Sequence, residues 1–199
     1  MLIEAARSSG WEVLGVVDAK ACTETCQRLG VDHLGDDDAG LALARERRDL
    51  KFVLGMGNVK VSSTRAAVAA RYDAESVACA TIVHARAWVS GTATLREGAV
   101  VFAASVVNTG AIVGQHGIVN TGAIVEHDVQ LGDFVHVGCG AVIGGGARVG
   151  TGSCVALGSR VRDHVAIGGG ATVGMGAVVV GDVAEGAVVL GVPARTRRI

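Results

Sequence analysis

Six histidines (His33, His84, His116, His127, His136 and His164) are the side chains of this 199-residue chain suited to moving a proton near neutral pH. One of them stands between two acids, in the run Glu126-His127-Asp128. An imidazole oriented by a neighbouring carboxylate can take a proton from an attacking nucleophile, so His127 is the leading candidate for a general base. On spacing alone, an ordinary solvated histidine in a polar turn remains the simpler alternative. His84, His116 and His164 read as such bystanders.

Metal and thiol chemistry find less support. A catalytic zinc needs three convergent ligands, whereas His116, His127 and His136 are separated by eleven and nine residues, so no metal is expected. The five cysteines are irregularly spaced, and Cys22 and Cys26 stand four apart, outside a CxxC pattern. They read as free thiols in a reducing compartment.

The elements that must position these groups are set by a repeat. From Val83 to Val179 every sixth residue is Val, Leu or Ile, through Val101, Val125, Leu131, Val137 and Ile143. If such residues fill roughly a third of the segment, an unbroken run of this length arises by chance about once in 10⁸. Four residues after each aliphatic one comes Ala, Ser, Gly or Val, as in Ala99, Ser105, Gly117 and Ala123. The small residue and the next aliphatic one are two apart, so they point to the same side of a short strand. Two residues remain for a corner, and three strands with three corners close an eighteen-residue triangular coil. Stacked coils then pair their backbones and bury one aliphatic column inside.

This frame sorts the histidines. His127 falls on a corner, two residues after Val125, and His136 falls mid-strand, pointing outward. Cys139 reads as an inner-facing packing residue.

Before Val83 the period changes. Residues 2–9 and 38–48 read as helices, 12–18 (EVLGVVD) and 51–57 (KFVLGMG) as strands. A third helix is expected from a cap at Ser62 or Ser63 to about Tyr72, then a strand near 76–83. Alternating helices and strands imply a small parallel sheet. The run Asp36-Asp37-Asp38 reads as a helix N-terminus favoured by the helix dipole.

Composition removes several functions. A net charge of −1 leaves no basic footprint for nucleic acid, and no apolar stretch approaches the ~20 residues of a membrane helix. No secretory signal pattern opens the chain, so a cytoplasmic location is expected.

The segment NTGAIVEHDVQLGDFVHVGCGAVIGGGARVG (120–150) and the ending GVPAR (191–195) resemble the bacterial hexapeptide-repeat sugar acetyltransferases. That group includes sialic-acid O-acetyltransferases and UDP-4-amino-sugar N-acetyltransferases. The resemblance implies a mostly β fold. Residues 81–199 would form a left-handed parallel β-helix acyltransferase domain with a C-terminal tail. Residues 1–80 would form a small Rossmann-like α/β acceptor-binding domain, N-terminally incomplete in lacking the first strand and Gly-rich turn.

It further implies a homotrimer using acetyl-CoA. His127 would be the base, Asp128 would raise its basicity, and Asn120 and Glu126 would line the same site. His136, Gly145 (through its N–H), Leu157 and Met175 match positions that contact acetyl-CoA, Met175 replacing a glycine. Asp18 and Gly57 match substrate-binding positions, and Ala19 replaces the second acid of the usual Asp pair. The expected activity is direct acetyl transfer to an amino or hydroxyl group of a sugar, foremost a nucleotide-linked amino sugar. An acetyltransferase for a non-nucleotide acceptor and a catalytically silent scaffold subunit are the alternatives.

Overall fold

The computed structural model describes residues 1–21, 23–57 and 64–197. Cys22 and the expected helix cap at Ser62 or Ser63 lie outside the described residues.

From Ile82 the chain winds into stacked coils with three flat faces. The first face carries Ile82–Val83, Val100–Val101, Ile118–Val119 and His136–Val137, continuing downward. The second carries Trp88–Val89, Ile124–Val125 and Val142–Ile143, and the third Thr94–Leu95, Gln130–Leu131 and Arg148–Val149. As far as Val179, neighbours within a face are parallel and eighteen residues apart, as in Ile124 with Val142 and His136 with Cys154. Coils therefore stack at the usual strand spacing of about 4.8 Å.

The expected alternation holds residue by residue. Val101, Val107, Val113, Val119, Val125, Val137, Ile143, Val155 and Val173 are fully buried in one column, with Ala99, Ala111, Ala123 and Ala141 between them. Below Val179 the period slips, because Ile167 and Val173 face Val183 and Val189, sixteen residues on instead of eighteen. A short antiparallel strand, Arg195–Thr196, then pairs with Val188–Leu190.

The N-terminal part has helices Leu2–Ser8, Thr23–Leu29, Asp37–Glu46 and Thr64–Ala74. Asp36 caps the third, its Oδ1 accepting the Ala39 N–H at 3.1 Å. Thr23–Leu29 and the strand Asp32–His33 were not expected. The strands that were expected are shorter: only Gly15–Val16 pairs with Asp32–His33, and Phe52 makes a single parallel bridge with Cys79. A strand persists only where a partner satisfies its backbone, and neither segment has one on both edges. This part lies on the upper coils of the first face, where Ala5, Ala6, Ala80, Ile82 and Val100 form one cluster with Leu2, Val13, Val53 and Phe102.

Candidate active site

His127 and Asp128 sit on the corner between the second and third faces. Their Nδ1 and Oδ2 atoms are 3.0 Å apart. A carboxylate only accepts, so Nδ1–H donates and Nε2 keeps its lone pair. The hydrogen bond to Asp128 is the main cause holding the His127 pKa above the ordinary imidazole value, with smaller contributions from Glu126 and Asp163. Asp128 itself has a left-handed backbone (φ +58°), at a corner position filled by Gly110 above and Gly146 below. A non-glycine residue is strained there, a cost that tends to be kept at functional sites.

Gly145 lies directly beneath, one coil down. A Cβ on it would stand 2.5 Å from His127 Nε2 and 2.7 Å from Cε1, so the bare backbone is what admits the ring. Its N–H is not free, because it donates to Asp163 Oδ1 at 3.0 Å. This N–H, expected near the thioester, is thus engaged by a carboxylate in the structure. Sequence reasoning missed Asp163, although it precedes His164 and lies two eighteen-residue periods after His127. Glu126 sits on the same corner, its Oε2 accepting from Asn108 Nδ2 at 3.0 Å.

The other expected residues lie elsewhere. Asn120 Nδ2 and His136 Nε2 are 3.2 Å apart, at the first face and the corner that follows it. Asn120 was expected to line the site of His127, but within one chain a whole face separates them, because six residues carry the chain to the next corner. His136 points outward as expected, into a cleft of about 170 Å³ lined by Leu54, Gly57, Phe102, Ile118 and Asn120. There a Cβ on Gly57 would stand 3.3 Å from His136 Cε1. The structure thus groups His136 with the expected acceptor residue Gly57. Asp18 follows the strand Gly15–Val16, its Oδ1 accepting the Lys20 N–H at 2.8 Å.

Leu157 and Met175 stand one above the other on the corner between the first and second faces, 56% and 77% exposed. Cys139 belongs to that same corner column and is half-buried, not inner-facing as expected. His116 is no bystander. It is buried where helix Thr64–Ala74 meets the third corner, stacked on Phe134 at 4.9 Å, its carbonyl accepting from Arg65 Nη2. Among the described residues no group of three or more His, Cys, Asp or Glu side chains is arranged to hold a metal, and no helix is long and apolar enough to cross a membrane.

No protein-family model matches the chain, and no curated protein matches it in sequence. Solved structures do. It is similar to a histidine-to-alanine variant of GDP-perosamine N-acetyltransferase from Caulobacter crescentus, solved with CoA and GDP-perosamine. They share 32% identity over 100% of this chain and 91% of that one, with a TM-score of 0.90. The acetyltransferase domain of PglB from Neisseria gonorrhoeae, solved with acetyl coenzyme A, is 28% identical over 98% of this chain and 92% of that one (TM-score 0.87). WeeI from Acinetobacter baumannii, 20% identical over 93% of this chain and 99% of that one, shares the fold with a TM-score of 0.57.

Stacked parallel coils with these relatives define an acyltransferase of the left-handed β-helix class. Within it, the chain belongs to the hexapeptide-repeat sugar acetyltransferase family.

Proposed function

We propose that this protein transfers the acetyl group of acetyl-CoA directly to the amino group of a nucleotide-linked amino sugar, with His127 as general base. The single observation that carries the reading is the His127–Asp128 pair, whose second nitrogen is left free over a side-chain-free corner. The relatives solved with CoA and GDP-perosamine, and with acetyl coenzyme A, support the two substrates.

In the reaction the amine nitrogen attacks the thioester carbonyl carbon while Nε2 of His127 takes the amine proton. The C–S bond then breaks, and the proton passes to the departing thiolate, leaving an amide and free CoA. Asp128 fixes the Nδ1–H tautomer and stabilises the transient imidazolium. No covalent enzyme intermediate is needed.

The remaining roles follow from position. Residues 1–80 act as the acceptor-binding domain, with Asp18 two residues past the strand Gly15–Val16 and Gly57 beside the His136 cleft. Residues 81–199 act as the acyltransferase domain. His136 and Asn120 face the cleft beside Gly57, and Leu157 and Met175 offer an apolar edge to the pantetheine arm.

One chain separates these groups, which supports a homotrimer with the site between neighbouring β-helices. The outward row of the second face is apolar, through Trp88, Val106, Ile124, Val142 and Val178, with Arg160 the exception. A second copy would cover it and bring His127 towards the partner's Leu157 corner. The cytoplasm is the expected place of action.

The test is thiol release from acetyl-CoA with GDP- or UDP-linked 4-amino sugars as acceptors. His127→Ala should lower turnover by about 10²–10⁴-fold. Failure to bind acetyl-CoA and to acetylate any such sugar would overturn the reading. Light scattering should give three times the 20.0 kDa chain mass.

A further inference from the structure

The corner that carries His127 is built from three successive coils that differ in what they project. Glu126-His127-Asp128 lies above, Gly144-Gly145-Gly146 projects nothing, and Arg162-Asp163-His164 lies below. Side chains from both sides therefore converge on a bare backbone floor. From above, the His127 ring covers Gly145. From below, Asp163 Oδ1 accepts the Gly145 N–H at 3.0 Å and occupies the space of a Cβ on Gly144. The His164 ring fills the equivalent space at Gly146, its Nδ1 2.5 Å from that Cβ point.

We infer that Asp163 is a positioning residue for His127, pinning the glycine floor on which the imidazole rests and placing a carboxylate beneath that floor. The inference rests on His127 being the base. The coil ladder already holds the flanking amides, Gly144 N–H to Val161 O and Gly146 N–H to His127 O, so the Gly145 N–H under the ring is the amide of this floor that a side chain satisfies. A charge-assisted bond from a carboxylate to the middle amide is a strong local restraint. The same carboxylate acts electrostatically. With Asp128 on Nδ1 and Asp163 beneath the glycine floor, an imidazolium formed in the reaction has an acid on its own corner and another below it.

The charged and titratable groups around the ring are few. Glu126 and Asp128 share its corner, and Asp163, Arg162 and His164 come from below. The coil above contributes only the uncharged Asn108, Thr109 and Gly110. The three acids all favour the protonated ring, Asp128 most and Asp163 least.

The test uses Asp163→Asn and Asp163→Ala, each made in the native chain and in His127→Ala, assayed as the full-length protein. Asn keeps an oxygen for the Gly145 N–H but removes the charge. It should move the acid limb of kcat/KM to lower pH by roughly a few tenths of a unit, leaving plateau kcat within about threefold. Ala removes both contributions and should cut plateau kcat about tenfold, with the KM for acetyl-CoA within about twofold. Both substitutions should be silent in the His127→Ala background, because Asp163 acts through His127. An unmoved acid limb in Asp163→Asn, or losses of equal size with and without His127, would overturn the inference. Native turnover in His127→Ala alone would instead remove the base assignment, and this inference with it.

Discussion

Nε2 of His127 stands 2.5 Å from the point where a Cβ on Gly145 would be, and both residues occupy the same corner one coil apart. The free nitrogen of the ring thus has its place only because the residue below it carries no side chain.

Gly145→Ala should therefore fold normally but work poorly. The clash is with an exposed side chain that can swing away, so the melting temperature should change little. The displaced ring should cost about 10²-fold in kcat, the usual penalty for roughly 1 Å of misplacement. Calorimetry with steady-state kinetics on the purified variant checks both halves, and a matched loss of stability would contradict the account.

The pH dependence has a definite sign. A base must be neutral to act, so kcat/KM should rise with pH through the His127 pKa. The bond to Asp128 holds that pKa above 6.5, so the acid limb should lie above 6.5 in the native enzyme. Asp128→Asn removes the principal cause and should move the limb down towards 6.5, as a pH–rate profile of both forms would reveal.

Arg65 makes a different kind of prediction. It is only 2% exposed, and its Nε and Nη1 atoms have no hydrogen-bond partner among the described residues. Burial pushes its pKa down to about 10, and the face of Phe134, 5.9 Å away, offers only partial compensation. Replacing an unmatched buried charge by an apolar chain of similar volume is often neutral or stabilising. Arg65→Met should match the native chain or exceed it by up to about 2 kcal/mol, whereas Arg65→Ala should lose about 2–4 kcal/mol to the cavity. Urea unfolding of the two variants separates charge from packing.

His116, beside it, links folding to pH. Burial lowers its folded pKa below 6.5, so the unfolded chain binds the extra proton first. Its contribution is fully present above 6.5 and is lost as pH falls from there through the folded value. His116→Phe should flatten the fall in stability between pH 6.5 and 5, measured by denaturant midpoints, without moving the acid limb of activity.

The inner column should behave as an ordinary close-packed core. Ile143→Ala, at a fully buried site, should cost about 2–5 kcal/mol. Its effect on the KM for either substrate should be small once the variant is assayed below its melting temperature.

Much of this molecule was legible before any coordinates. A six-residue period is a local property: alternation along a strand and a two-residue corner decide which side chains turn inward, whatever lies above or below. That is why the interior from Val101 to Val173, the corner position of His127 and the outward aim of His136 all followed from spacing. Strand length in the N-terminal part did not, because a strand exists only where another one meets it, and Gly15–Val16 and Phe52 each found one partner.

The tertiary structure alone decided what each corner side chain touches. Asp163 reaches Gly145 because eighteen residues return the chain to the same corner, yet the direction its side chain takes depends on the empty floor above it. Asn120 keeps company with His136 on the next coil, a whole face away from His127, and Gly57 joins them because the N-terminal part docks on the first face. His116 is buried for the same reason. Periodicity determines the side of the prism a residue occupies, and packing between segments far apart in the chain determines what it touches there.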